Sequence, residues 1–308
     1  MVKIFHHNDL DGYSSGYLTY KYFKELGRDD IIATSMDYNS KFDLFDLNNI
    51  KKDDEVYIVD YHISPELFKE LQSKCLEAVW IDHHVSAIEE YDKYFKELGL
   101  NLDEEVLGSW RNGDSATKLV YEYFYGSENI PKWVNLVDAW DCWKTDNEFY
   151  DEAECLNIAS QNDLSIELIK EIDTNNKTLK NLISIGNIFR KYRDDWSKSF
   201  ANKYGFETSI EDLDGTVSSI YVLTLGNANS KYFGNKIDEY DYCVTQGFDG
   251  EKWNISVYSN KPNKDCSKFA RVFGGGGHKG ASGFTYEGYE PLFTKGKNKN
   301  NIKLEEEN

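Results

Sequence analysis

Residues 1–16 read MVKIFHHNDLDGYSSG, an apolar run closing on Ile4 and Phe5, followed by two histidines and two aspartates between His6 and Asp11. The Ile4-Phe5 pair reads as the end of a buried strand. Gly12 with Ser14 and Ser15 predicts a turn into a helix, with the two serines as capping hydroxyls rather than nucleophiles. Carboxylates crowded into so few positions repel one another unless something positive sits between them.

The same pattern recurs downstream. Residues 55–64, EVYIVDYHIS, and 77–86, EAVWIDHHVS, are each a β-type run that ends in Asp and His. Between these runs the spacing predicts helices from Tyr17 to Leu26 and from Pro65 to Lys74, the second opened by Ser64 as N-cap with Pro65 at the first position. Residues 31–38, IIATSMDY, add a strand, and alternation of strand and helix implies a parallel sheet. In open sheets of this kind the ligand crevice lies at the carboxyl ends of the strands. His7, Asp9, Asp11, Asp60, Asp82, His83 and His84 are therefore expected to converge on one pocket.

Further along, GSWRNGDSATKLVYEYF (108–124) predicts a helix capped by Asp114 or Ser115, with Leu119, Val120 and Phe124 inward. WVNLVDAWDCW (133–143) reads as an apolar helix interrupted by Asp138 and Asp141, which are costly to bury unless paired or bound to a cation. A long helix is expected over 176–201, with Leu179, Leu182, Ile183, Ile188, Phe189 and Tyr192 as its apolar stripe and Ile188 and Phe189 in the core. The runs 216–226, 240–248 and 251–259 are β-like and separated by Gly and Asp turns, predicting a second, mixed sheet. The expected fold class is α/β: an N-terminal parallel-sheet domain with helices on both faces (1–150), a helical connector (151–208), a smaller C-terminal α/β domain with a mixed sheet (209–290), and a disordered polar tail (291–308).

Composition narrows the function. At 308 residues, with 40% hydrophobic and 15% aromatic content, the chain can build packed cores. No basic segment precedes an apolar one at the N-terminus, and no apolar run nears the roughly 18 residues a membrane span needs, so a cytoplasmic protein away from membranes is expected. Cys75, Cys142, Cys155, Cys243 and Cys266 form no Cys-x-x-Cys pair and read as reduced, buried thiols. A formal charge of −19 repels long nucleic acid duplexes, which bind through Lys and Arg displacing counterions. Short anionic ligands held by a local basic cluster and metal ions are compatible with it.

Four or so aspartates and one or two histidines around one point suit two divalent ions bridged by a carboxylate, and that donor set favours manganese over calcium or thiolate-bound zinc. At the other end of the chain, FGGGGHKGASGF (273–284), preceded by Arg271, offers backbone amides and positive charge as an anion-binding nest; a tight hairpin is the alternative.

His7-Asn8-Asp9-Leu10-Asp11-Gly12 resembles the first motif of the DHH phosphoesterase family, and Asp82-His83-His84 resembles its namesake motif. Asp60 fits the intervening motif, and residues 273 to 284 are similar to the glycine-rich signature of the DHH-associated C-terminal domain. These motifs run in the family's order across residues 1 to 285. The resemblance implies two Mn2+ ions, with Mg2+ as a substitute. One would be bound by His7, Asp9 and Asp60, the other by Asp11, Asp60, His83 and Asp138, with Asp141 as the rival to Asp138. It also implies that His84 faces the substrate phosphate and that Asp82 orients its neighbours, while Arg271, Gly275, Gly276, Gly277 and His278 grip the nucleotide across an interdomain cleft. The reaction it implies is hydrolysis of phosphoesters in short oligoribonucleotides, linear dinucleotides or 3'-phosphoadenosine 5'-phosphate by a hydroxide held between the ions. Hydrolysis of cyclic dinucleotides and a non-catalytic nucleotide-binding regulator stand as alternatives, and a homodimer is left open. His6 and His62 match no motif position and are expected to play structural or supporting roles.

Overall fold

Val2, Ile4, Tyr57, Val59, Val79 and Ile81 pack on one face of a sheet, and Phe5, Val56, Ile58, Ala78 and Trp80 pack on the other. Strands buried on both faces read as continuous apolar runs, which is why each of the three N-terminal runs lacks polar alternation. The chain, seen as a computed structural model, is described over residues 1–37, 45–212, 215–226 and 228–295. It divides into two units, Met1–Arg190 and Lys191–Asn308.

The first unit runs β1 (Val2–His7), α1 (Leu10–Glu25), β2 (Ile31–Met36), β3 (Glu55–Val59), α2 (Pro65–Lys74), β4 (Glu77–Asp82), α3 (Val85–Glu97), α4 (Leu102–Glu105), β5 (Leu107–Trp110), α5 (Ala116–Tyr125), α6 (Lys132–Asp141), α7 (Tyr150–Ser160), α8 (Ile166–Thr174) and the part of α9 (Asn176–Tyr204) up to Arg190, the rest of that helix belonging to the second unit. Its five strands are parallel in the order β2-β1-β3-β4-β5. Strand order reverses direction between β1 and β3, where open α/β sheets bind ligands. The register pairs His6 with Val59 and Val59 with Ile81, so β1, β3 and β4 end side by side.

Several expectations from the sequence are corrected. α1 begins at Leu10, well before Tyr17, because Asp9 is its N-cap and accepts from the Gly12 amide. Ser14 and Ser15 are therefore not caps; they are buried within the helix. Ile188, Phe189 and Tyr192 are 68%, 56% and 70% exposed, so Ile188 and Phe189 are not core. At this level the inward side of α9 carries Gly186 and Arg190 instead. A Cβ on Gly186 would meet the Cys155 carbonyl oxygen at 1.9 Å, and Arg190 pairs with Asp151 at 2.8 Å. Residues from the stretch read as a connector, Ala153, Leu156, Ile169, Ile172 and Leu179, complete the core on the α1 side of the sheet.

The second unit adds β6 (Phe206–Glu211), β7 (Val217–Leu223), α10 (Lys236–Glu239), β8 (Tyr242–Phe248), β9 (Trp253–Tyr258), α11 (Cys266–Arg271), β10 (Gly276–Gly277) and β11 (Ala281–Tyr286). Its six-stranded sheet, ordered β10-β11-β9-β8-β7-β6, is mixed, since only β7 and β8 run parallel. Phe269 and Ala270 of α11 cover its apolar face with Val244, Ile255 and Phe284. Leu292 and Phe293 are buried there, and Gln246 clamps Phe293 by donating to its carbonyl (2.8 Å) and accepting from its amide (3.1 Å). The packed chain thus extends past residue 290, and residues 296–308 of the expected tail lie outside the described ones. Among the described residues no helix is long and apolar enough to cross a membrane, and all five cysteines are free thiols.

Candidate metal centre

Asp60 immediately follows β3 and is only 1% exposed, yet neither of its carboxylate oxygens has a hydrogen-bond partner. Its backbone has φ of 53°, the left-handed region that non-glycine residues rarely adopt, while its amide still donates to the Ile81 carbonyl at 2.9 Å. The bend turns the side chain out of the ladder and between two histidines. Oδ2 is 4.0 Å from His7 Nδ1, and Oδ1 is 3.4 Å from His83 Nε2.

Around this residue two groups assemble. On one side His7 Nδ1 lies 2.9 Å from Asp9 Oδ2, while Asp9 Oδ1 accepts from the Gly12 amide at 2.9 Å. Gly12 is required for this approach, because a Cβ there would sit 2.2 Å from the His7 carbonyl oxygen. On the other side His83 Nε2 lies 3.6 Å from Asp11 Oδ2 and 3.3 Å from Asp141 Oδ2. Asp11 is aimed by the start of α5, whose Ala116 and Thr117 amides donate to its two oxygens at 2.8 Å each. Helix N-termini hold carboxylates well because their first amides lack intrahelical partners.

Asp82, fully buried at the end of β4, accepts through Oδ1 from the amides of His83 (2.7 Å) and His84 (3.2 Å) and lies 2.7 Å from His84 Nδ1. It thereby orients both histidines, and its Oδ2 lies 4.0 Å from His62 Nδ1. His6 is buried beneath Gly16, where a Cβ would touch its ring at 2.6 Å.

The electrostatics are those of a crowded, buried set of carboxylates. Burial, reinforced by the charges of Asp11, Asp9, Asp141 and Asp82, pushes the Asp60 carboxyl well above the usual range. Burial and the charges of Asp11, Asp9, Asp138 and Asp82 push Asp141 the same way. Burial opposes ionisation of Asp9, but the hydrogen bond and charge of His7 outweigh it and lower its carboxyl to about 2. Burial likewise disfavours protonated His84, and the hydrogen bond and charge of Asp82 reverse the sign, raising its pKa. Asp60 and Asp141 therefore lack compensation from the protein itself. Buried, unpaired carboxylate oxygens converging with imidazole nitrogens fit a divalent cation, and the oxygen-rich donor set suits manganese or magnesium.

The expectation for the fourth motif is revised by this geometry. Asp138 faces the scaffold: Oδ1 accepts from the Ser115 amide at 2.9 Å and Oδ2 from Lys144 at 2.6 Å. Asp141, near the end of α6, is the aspartate that meets His83. Cys142, passed over as a buried thiol, also reaches the site, since its sulfur, a His83 nitrogen and an Asp141 oxygen all lie within 4.8 Å of one another. Its position next to Asp141 is the sequence signal that could have found it. Burial and the charges of Asp141, Asp138 and Asp11 hold its thiol far above the ordinary range.

The glycine-rich segment belongs to the second unit. Gly274 and Gly275 amides donate to the Arg271 and Ala270 carbonyls at 3.0 Å each, and the His278 amide donates to Ala281 at 2.8 Å. Gly276 and Gly277 pair with Gly283 and Ser282 in the β10–β11 ladder. The segment is thus a tight hairpin, with three amides of the expected nest already donated to carbonyls. Arg271 and His278 are exposed beside it.

Residues 1–139 match the family described as DHH family, N-terminal domain. Across 95% of both chains the protein is 24% identical to a 3',5'-cyclic-nucleotide phosphodiesterase of Helicobacter pylori. Among solved structures it resembles the DHH domain of a member of a family of ribosomal proteins, with TM-score 0.57 and 15% identity over 93% of this chain and 82% of that one. It also resembles the pGpG-specific phosphodiesterase PggH of Vibrio cholerae, with TM-score 0.53 and 14% identity over 93% of this chain and 94% of that one. At such identities the structural likenesses establish the shared fold.

Proposed function

We infer the activity of this chain from its membership: residues 1–139 belong to the DHH family, N-terminal domain, and the protein is a metal-dependent hydrolase of phosphoester bonds in small nucleotides. The observation that carries this reading is Asp60, buried with two unpartnered oxygens between His7 and His83. His7, Asp9 and Asp60 would hold one Mn2+, and Asp11, Asp60, His83 and Asp141 the other, with Mg2+ as a substitute. Such ions supply Lewis acidity and a water made acidic enough to attack phosphorus at neutral pH.

The chain's own groups position and neutralise. Asp82 fixes the His84 ring through Nδ1, which leaves Nε2 for a substrate oxygen, and it favours the protonated imidazole that such an oxygen attracts as charge builds. The α5 N-terminus orients Asp11, and the Asp138–Lys144 pair anchors that terminus through Ser115. In the second unit, Arg271 and His278, exposed beside the hairpin of Gly275, Gly276 and Gly277, are a separate candidate contact for a nucleotide.

The preferred substrates are linear dinucleotides and short oligoribonucleotides, with 3'-phosphoadenosine 5'-phosphate in the same size class. The overall charge of −19 disfavours long duplexes. Likeness to the Helicobacter pylori enzyme supports a second reading, hydrolysis of 3',5'-cyclic mononucleotides. The test is a panel of pGpG, pApA, cyclic AMP, cyclic GMP, cyclic di-AMP and 3'-phosphoadenosine 5'-phosphate, assayed with Mn2+ and after chelation. Fastest turnover is expected on the linear dinucleotides, abolished by chelation and restored by Mn2+. No hydrolysis of any member, or hydrolysis indifferent to chelation, rejects the reading.

A further inference from the structure

Cys142 stands at the edge of the centre with no assigned role. It is the C-cap of α6, its amide donating to the Asp138 carbonyl at 3.2 Å, so its backbone is fixed relative to Asp141. Of the five free cysteines it alone is partly accessible. Its sulfur joins a nitrogen of His83 and an oxygen of Asp141 in one group, all within 4.8 Å of one another. His83 Nε2 is 3.3 Å from Asp141 Oδ2 and 3.4 Å from the buried and unpartnered Asp60 Oδ1, so the group adjoins a carboxylate that needs a cation. Three protein ligands of nitrogen, oxygen and sulfur type form a donor set for zinc or cobalt, whereas manganese and magnesium favour oxygen.

We propose that this centre has a second metal-binding mode, in which a thiophilic divalent cation is held by His83, Asp141 and Cys142, whereas hard cations do not engage the sulfur. The proposal rests on the reading of the cluster as a metal centre. When the metal–sulfur bond forms, the S–H bond breaks and its proton passes to the buffer, so uptake of zinc releases a proton that uptake of manganese does not. The mode gives the protein a means of distinguishing zinc from manganese at a site whose other ligands serve both.

The experiment titrates the chelator-stripped full chain with Co2+ and follows the near-ultraviolet absorption of cobalt bound to thiolate. Wild type should develop the band, and added Zn2+ should bleach it. Cys142→Ser and Cys142→Ala should lack it and should bind Zn2+ about 10-fold to 100-fold more weakly, the range seen when even a supporting partner of a ligand is lost. Their Mn2+ binding and thermal melting should match wild type. In wild type itself, X-ray absorption of the zinc-loaded chain should show a sulfur neighbour at about 2.3 Å and that of the manganese-loaded chain none, a readout that needs no variant. Co2+ binding without the band, or a band that survives in both variants, overturns the proposal. Manganese-dependent hydrolysis with no thiolate band sinks this inference alone; a wild-type chain that takes up no divalent cation sinks the metal-centre reading with it.

Discussion

Lys144 Nζ lies 2.6 Å from Asp138 Oδ2, and this ion pair separates the two aspartates of α6 by task. Asp138 is neutralised and tied to Ser115, whereas Asp141 points an unpartnered oxygen at His83. Asp141→Asn should therefore lower bound manganese and turnover together, without destabilising the chelated protein, because it removes an uncompensated negative charge. Asp138→Asn should keep its metal and lose about 1 kcal/mol of stability through the weakened Lys144 contact. Elemental analysis and thermal melting of the two variants check this, and the opposite assignment of effects would return the ligand to Asp138.

Asp60→Asn should abolish turnover, since a neutral amide does not bridge two cations. Loss of more than about 4 kcal/mol of transition-state stabilisation corresponds to roughly a thousandfold fall in rate. Residual activity above about a tenth of wild type at saturating manganese contradicts the bridging role, because a tenfold change reflects only about 1.4 kcal/mol.

Asp173 collects three donors from α1 and α6: the Tyr17 hydroxyl at 2.8 Å, Lys21 Nζ at 2.8 Å and Trp133 Nε1 at 2.9 Å. Burial works against its ionisation, but these partners prevail and lower its pKa. A carboxyl depressed in the folded state stabilises above its unfolded pKa, about 4, and that contribution disappears as pH falls through the lower folded value. Unfolding followed from pH 7 to pH 2 should show wild type losing stability below about pH 4. Asp173→Asn should be less stable by about 1 to 3 kcal/mol at pH 7 and show a flatter acid limb. Parallel pH curves for the two proteins would exclude Asp173 as a source of acid sensitivity.

His278→Ala and Arg271→Ala test the second unit. If their side chains grip the nucleotide, KM for pGpG should rise about 10-fold to 150-fold for each, equivalent to the 1.5 to 3 kcal/mol of a charge-assisted contact. Manganese content and slow hydrolysis of bis-p-nitrophenyl phosphate should stay at wild-type levels. Unchanged KM in both variants would leave the hairpin with a purely structural role.

Local signals were legible where the chemistry is local. Ser64 and Pro65 mark the start of α2, and the Asp/His endings of β1, β3 and β4 mark the crevice, because a parallel sheet aligns strand ends whatever lies between them. What escaped depends on partners distant in sequence. Asp138 and Asp141 are neighbours on one helical face, so only the positions of Lys144 and His83 distinguish them. Along α9 the expected stripe holds at Leu179, Leu182 and Ile183 and fails at Ile188 and Phe189, because the inward side at Gly186 is chosen by the Cys155 backbone, a contact that favours the absence of a side chain over an apolar one. The capping of α1 by Asp9 was hidden behind two serines with equally good propensity for the task.

The left-handed backbone of Asp60 makes the robustness of the fold a reporter of ion supply. A non-glycine residue in that region costs about 1 to 3 kcal/mol, and its unpaired carboxyl adds a desolvation penalty, so the cation-free protein carries frustration at one residue. Any cation that binds only the folded chain removes part of that frustration and stabilises it in proportion to the logarithm of its concentration. Glycine at the same position would relax the backbone and remove the share of the repulsion that Asp60 contributes, leaving that among Asp9, Asp11, Asp82 and Asp141. The resulting chain would be inert yet outlast its parent on heating, a trade of durability against activity confined to a single residue.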